Sequence, residues 1–226
     1  MKKLKGATLA EQAYEELRSQ IVSGRLPAGQ RLAPDQLADA LGISQTPVKE
    51  AIALLERDGL VVGEARRGTT VRQFAPADIE EVFEARTLLE LHAVRRAMAA
   101  GRITPAFVAR LRAVLEAHIA EVMKQTEDGL AAAIALDREF HELIVERGGN
   151  ETIAGWHSVI QRQTQTIKNF TLKTYTLERT MQEHTAIVEA LAGGDAEAAA
   201  DALRFHLEKS RDAMLSRAAE EVPARA

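Results

Sequence analysis

LADALGISQTPVKEAIALLERDG, residues 37–59, decides how the rest of the chain reads. It predicts a short helix, a tight turn at Leu41-Gly42-Ile43, and a second helix opening at Ser44 to Pro47. Ser44 and Thr46 can each accept from a backbone N–H of that first turn, and Pro47 suits a turn whose N–H groups have no intrahelical partner. Val48, Ile52 and Leu55, with Ala51 and Ala53, give the second helix a side to bury, while Gln45, Thr46, Lys49 and Glu50 stand at its N-terminal end. A helix-turn-helix presents its recognition helix to the DNA major groove in this way.

The flanks support that reading. Thr8-Leu-Ala-Glu11 is a capping box that opens a helix running to about Ser23, closed by Gly24. Pro27, Gly29 and Arg31-Leu32 read as a loop into the helix at 35–41. Beyond residue 58, Gly59-Leu60-Val61-Val62 and Thr69-Thr70-Val71-Arg72 predict two short strands around a loop, Gly63 to Gly68, that carries Arg66 and Arg67. Three helices and a basic hairpin make a winged helix-turn-helix over residues 1–73. Ser44, Gln45, Thr46 and Lys49 are its expected DNA-facing residues; Arg31, Arg66, Arg67 and Gly68 are expected at phosphates or the minor groove.

Phe74-Ala-Pro76-Ala77 is a composition break and the expected linker (74–77). From 78 to 226 only helical periodicity remains. Six helices are expected, at 78–100, 104–125, 130–147, 151–170, 177–192 and 195–218, with Gly101, Gly129, Gly148-Gly149 and Gly193-Gly194 between them. The fold class is mostly α: a winged helix-turn-helix followed by an all-α six-helix bundle. The chain has no cysteine, so disulfides, thiolate zinc sites and thiol nucleophiles are excluded. No apolar run reaches membrane-spanning length and no signal peptide is evident, so a cytoplasmic protein is expected. The net charge of −4 divides unevenly. Residues 1–73 hold 11 Lys+Arg against 9 Asp+Glu, and residues 74–226 hold 18 against 24. A slightly basic head on an acidic body fits DNA contact by the head.

Polar residues on apolar stripes carry the chemistry of the body, because a buried polar group needs a partner. Asp137 and His141 lie on the stripe of Leu130, Ile134 and Ile144; His184 lies with Leu177, Met181, Val188 and Leu191; His206 lies with Ala199, Ala202, Leu203, Ser210 and Ala213. One carboxylate and three imidazoles can hold a divalent transition metal, with positions left for water or an anion. The same residues are also consistent with hydrogen-bonded core polar groups. His118 shares an inward stripe too, so periodicity does not choose between the two. His92 and His157 read as bystanders. Arg86 lies in line with Ile79, Phe83, Glu90, Ala93 and Ala97, and is expected either to pair internally with Glu90 or to grip a carboxylate ligand in bidentate fashion.

In this order the fragments resemble the GntR family of bacterial transcription regulators, in its FadR-like branch with a C-terminal FCD domain. The head matches at Ile21-Val-Ser-Gly24, Leu26-Pro-Ala-Gly-Gln-Arg-Leu32, Leu41-Gly-Ile-Ser44, Thr46-Pro-Val-Lys-Glu-Ala51 and Asp58-Gly-Leu60. The body matches at Arg86-Thr-Leu-Leu-Glu90, Leu136-Asp-Arg-Glu-Phe-His141, Gly149-Asn150, Glu183-His184, Gly194-Asp195 and His206-Leu207. The resemblance implies a homodimer whose heads read an inverted repeat in double-stranded DNA, with a small organic acid bound in the body. It also implies that Asp137, His141, His184 and His206 bind zinc, or nickel or manganese, and that Arg86 meets the effector. Six body helices look like the VanR-type subgroup, which points away from a long acyl-CoA. The chain departs from the family pattern at Gln45 and Lys49, where arginines are usual; glutamine pairs better with adenine than with guanine. A metal sensor, with the ion itself as signal, is the alternative. Catalysis is not expected, because no stripe offers a general base beside the four ligands: Glu142 and Glu183 fall off the faces.

Overall fold

A computed structural model describes residues 6–64, 68–171 and 177–221. The chain forms two compact units, Met1–Gln73 and Phe74–Ala226, each with its own core.

In the first unit, α1 (Leu9–Val22) opens with the capping box, Thr8 Oγ1 accepting from Glu11 N at 3.1 Å and the Glu11 carboxylate accepting from Thr8 N at 2.7 Å. Next come β1 (Arg31–Leu32), α2 (Pro34–Leu41), α3 (Gln45–Arg57), β2 (Val61–Glu64) and β3 (Gly68–Val71). Gly42 ends α2 at φ 66°, a left-handed position that glycine reaches at no steric cost and that turns the chain sharply into α3. Val48, Ala51, Ile52 and Leu55 are buried against α1, whereas Ala53 is exposed. Ser44 is the N-cap of α3 with extended φ and ψ but makes no side-chain cap bond, contrary to expectation. The sheet order is β1-β3-β2, antiparallel throughout, with Val61 opposite Val71 and Arg31 opposite Thr70. β1 was expected as loop; two residues are too few to show an alternation. Arg66 and Arg67 lie outside the described residues.

The second unit is helical in its described residues: α4 (Pro76–Ala99), α5 (Pro105–Met123), α6 (Glu127–Arg147), α7 (Glu151–Thr171), α8 (Leu177–Gly193) and α9 (Ala196–Glu221). Two boundaries differ from expectation for local reasons. Pro76 takes the first turn of α4, whose start is fixed by the Asp78 carboxylate accepting from Ala75 N at 2.7 Å, so part of the expected linker is already helix. Thr126 caps α6 by accepting from Gly129 N at 3.1 Å, which places Gly129 inside the helix instead of before it. Leu91, Phe107, Leu111, Ile144, Ile187 and Leu203 join α4, α5, α6, α8 and α9 in one core, and Ile79, Phe83, Ile167 and Met214 tie α7 to α4 and α9. The carbonyl of Gly148, at the end of α6, accepts from Arg96 Nε at 2.8 Å and Arg102 Nη1 at 2.6 Å, cations where the helix dipole favours them. No helix among the described residues is long and apolar enough to cross a membrane.

Candidate functional site

Three helices of the body each turn a histidine inward. α6 presents Asp137 and His141 one turn apart on a single face, α8 presents His184, and α9 presents His206. All four are at most 2% exposed, and one ligand atom from each lies within 4.8 Å of the other three. The stripes placed these side chains correctly, except that Met181 of the same α8 stripe is 43% exposed.

The second nitrogens of the imidazoles test whether this cluster fits a metal. His141 Nδ1 lies 2.7 Å from Glu90 Oε2, and His206 Nδ1 lies 2.8 Å from Glu183 Oε2. A carboxylate partner fixes the proton on Nδ1 and leaves Nε2 with its lone pair, the arrangement that orients a metal-ligating histidine. Both Nε2 atoms are buried and have no hydrogen-bond partner among the described residues. His184 Nε2 is 3.4 Å from Asp137 Oδ1. Burial holds the His141 imidazole down at about 4, the adjacent Glu90 opposing it, and burial likewise pushes His206 well below the ordinary range. Burial alone would raise Asp137, but the Lys168 ammonium and the neighbouring imidazoles outweigh it and hold the carboxyl well below the usual range. His141 and His206 are therefore neutral imidazoles and Asp137 an ionised carboxylate at pH 7, the protonation states a divalent ion requires. The residues fit.

Arg86 makes the expected internal pair with Glu90. It is fully buried on α4; its Nε donates to Glu90 Oε1 at 2.6 Å, while Nη1 and Nη2 have no partner among the described residues. Two buried guanidinium nitrogens without acceptors are costly unless something polar meets them. Glu90 is the hub: besides Arg86 and His141 it holds His157 Nε2 at 3.0 Å and is held well below the usual carboxylate range, burial opposing and Arg86 and His141 prevailing.

Three residues corrected the sequence reading. His157 is 1% exposed on Glu90 and no bystander. Glu183 is 7% exposed and turned to His206, although the α8 stripe leaves it off-face; burial raises its carboxyl. Lys168, not singled out at all, is buried in α7 with its Nζ donating to Asp137 Oδ2, its ammonium pulled down by burial. Its signal was available: Thr164, Ile167 and Lys168 continue the face that begins at His157 and Gln161. His118 is buried edge-on to His184, ring centroids 5.3 Å apart, and burial lowers it to about 3.

In the first unit Ser44, Gln45, Thr46 and Lys49 are all exposed at the start of α3. Arg31, exposed on β1, packs its guanidinium over Gly68 at the edge of the wing: a Cβ added there, at φ +82°, would stand 3.3 Å from Arg31 Nε.

Comparison with known proteins agrees with both halves. The family model described as bacterial regulatory proteins of the gntR family matches residues 9–71, and that of the FCD domain matches residues 81–209. A probable D-xylose utilization operon transcriptional repressor from Paenarthrobacter nicotinovorans is 31% identical over 91% of this chain and 88% of its own length. An HTH-type transcriptional regulator from the TAR-I ttuE-ttuC' intergenic region of Agrobacterium vitis is 39% identical over 59% of this chain and 77% of its own. Among solved structures, E. coli McbR/YncC shares the fold with a TM-score of 0.78 at 22% identity, covering 93% of this chain and 99% of that one.

Proposed function

The chain belongs to the GntR family of DNA-binding transcription regulators and carries an FCD domain, and from that premise we propose that it is a homodimeric cytoplasmic regulator whose operator affinity is set by a divalent metal and a small carboxylic acid bound in the helical unit. The observation that carries this reading is the convergence of Asp137, His141, His184 and His206 beside an arginine with two unanswered nitrogens.

Asp137, His141, His184 and His206 would hold the ion, zinc being the best match and nickel or manganese acceptable to the same donors. When bound, the ion supplies positive charge and open coordination positions for a carboxylate oxygen. The chain's own residues do the rest. Glu90 and Glu183 fix the tautomers of His141 and His206, and Arg86 offers Nη1 and Nη2 as a fork for the acid. At the DNA, Ser44, Gln45, Thr46 and Lys49 read the groove, and Arg31, Arg66, Arg67 and Gly68 meet the backbone or minor groove of each half of an inverted repeat. An acid that grips Arg86 more tightly in one arrangement of the helices shifts the population toward it, and its differential affinity sets the size of the response.

The position of Lys168 favours a second reading, the ion itself as signal: an ammonium already stands on Asp137, so ion and lysine compete for one carboxylate. A thermal-shift screen of sugar acids, dicarboxylates and hydroxy acids against zinc-loaded and chelator-stripped protein separates the two, because a ligand specific to the native state raises Tm with its concentration. An acid that stabilises only loaded protein supports the first reading. Zinc stabilisation that no acid augments overturns it in favour of the second.

A further inference from the structure

The helical unit keeps its buried charges in pairs. Apart from histidine, its buried acidic and basic side chains among the described residues are Arg86, Glu90, Asp137, Lys168 and Glu183. Arg86 Nε donates to Glu90 Oε1 at 2.6 Å, and Lys168 Nζ donates to Asp137 Oδ2. Glu183 Oε1 lies 3.5 Å from Nε of Arg179, which reaches in from a partly exposed position. Each carboxylate thus has its own cation, and the interior is balanced without an ion. Balance matters here, because a buried charge that loses its partner has given up its hydration for nothing.

A divalent ion on Asp137, His141, His184 and His206 breaks that balance. The imidazoles must be neutral to ligate it, so the ion adds two positive charges and its ligands add no new negative one. It also takes the carboxylate on which Lys168 stands, leaving a buried ammonium without its counter-charge. No replacement is at hand on α7: the neighbours of Lys168 along the buried face are His157, Gln161 and Thr164, each at most 3% exposed and none of them an acid. α4 packs against α7, and what it adds is the Arg86 guanidinium, which repels the ammonium.

With the ion in place, two cations on different helices therefore want anions. On α4, Arg86 has Nη1 and Nη2 unpartnered among the described residues; on α7, Lys168 has the donors that Asp137 has given up. A monocarboxylate cancels one of the two surplus charges. A dicarboxylate cancels both, and its two ends suit two separate anchors better than a single compact anion does.

We propose that the effector of the metal-loaded helical unit is a dicarboxylate dianion and that Lys168 selects it, one carboxylate going to Arg86 beside the ion and the other to the ammonium released from Asp137. This rests on the reading of the cluster as a metal and carboxylic-acid site, and narrows the acid by its charge.

Calorimetric titration of zinc-loaded full-length protein with succinate, glutarate and adipate, each beside its half-amide, tests it. A half-amide keeps the length of the diacid and loses one charge. The best diacid is expected to bind about tenfold or more tighter than its half-amide, the usual cost of leaving one buried charge unanswered. Lys168→Met removes the ammonium at similar length; the diacid is expected to lose that advantage, to within about threefold, while the half-amide keeps its affinity. General damage to the site would weaken both. Zinc competition against a chromophoric chelator controls for folding, since Asp137 is no longer contested and zinc affinity is expected to hold or rise. Should the methionine variant fail to hold zinc, Lys168→Gln takes its place. Diacids and half-amides that bind alike to wild type, or a diacid preference that survives loss of the ammonium, overturn the proposal and leave a metal and monocarboxylate site standing. Zinc binding with no response to diacids, half-amides, lactate or gluconate overturns that reading as well.

Discussion

Replacing Glu90 with glutamine removes one negative charge from the centre of the helical unit and leaves its shape almost unchanged. Three cationic or imidazole groups depend on that carboxylate: Arg86 Nε at 2.6 Å, His141 Nδ1 at 2.7 Å and His157 Nε2 at 3.0 Å. Arg86 and Glu90 are both fully buried, so the substitution strands a guanidinium in a low-dielectric interior. Breaking a buried pair from one side costs roughly 3–5 kcal/mol, and the glutamine carbonyl, which can still accept one bond, places this case near about 3 kcal/mol. Separately, His141 loses the carboxylate that fixes its tautomer, and loss of such a partner lowers metal affinity about 10- to 100-fold. Urea denaturation of chelator-stripped protein reads the first effect, and zinc competition against a chromophoric chelator reads the second. Both are expected, and the first without any metal present. If the metal-free midpoint stays at the wild-type value and zinc affinity changes less than about twofold, Glu90 is neither the counter-ion of Arg86 nor the anchor of His141, and the site has been read wrongly.

Metal-free stability depends on pH through His141 and His118, which burial holds at about 4 and about 3, below the ordinary imidazole value of about 6.5. Below pH 6.5 the unfolded chain takes up protons that the folded one refuses, so stability is complete above that pH and falls as pH drops toward 4, by about 1.4 kcal/mol per unit for each histidine; urea midpoints at pH 7.5, 6 and 5 that do not move would refute the burial of neutral imidazoles. Thr8→Ala removes a capping box and is expected to cost about 1 kcal/mol in denaturant, whereas Ser44→Ala, at a cap whose hydroxyl makes no helix bond, is expected to leave stability within about 0.5 kcal/mol and to weaken operator binding. An equal loss of stability in both variants contradicts that contrast. Gln45→Arg is expected to move the preferred half-site toward guanine at one position in an unbiased selection, and an unchanged preferred sequence removes Gln45 from the bases.

How legible the molecule was in its sequence depended on the range of the signal. The helices, the turn at Gly42 and the four candidate ligands are written in periodicity and capping, which act over three to seven residues and survive into the fold. β1 was missed because Arg31–Leu32 becomes a strand only through its partners in β3, Thr70 and Thr69, far downstream in the chain. Glu183 was set aside because the α8 stripe excludes it, yet α9 packs against that flank and buries it; a helix with two neighbours has two inner faces, and one stripe describes only the first. His157 and Lys168 escaped for a related reason: α7 turns a largely polar face, Gln161 and Thr164 among it, into the site, so a search for apolar stripes passes over it.

The construction of α4 also limits what this chain can vary. Arg86 points inward, Leu88 outward and Glu90 inward again, within little more than one turn of helix. A substitution at any one of them is a local event. An inserted residue is not, since it turns everything beyond it by about 100°. One residue added between Arg86 and Glu90 would swing Glu90 away from His141 and His157, bring Leu91 and Val94 out of the core, and carry Arg95 off Glu197. The 24 residues from Pro76 to Ala99 therefore behave as a ruler whose length is fixed from both sides, and insertions in related chains should collect in the loops after it while α4 keeps its count.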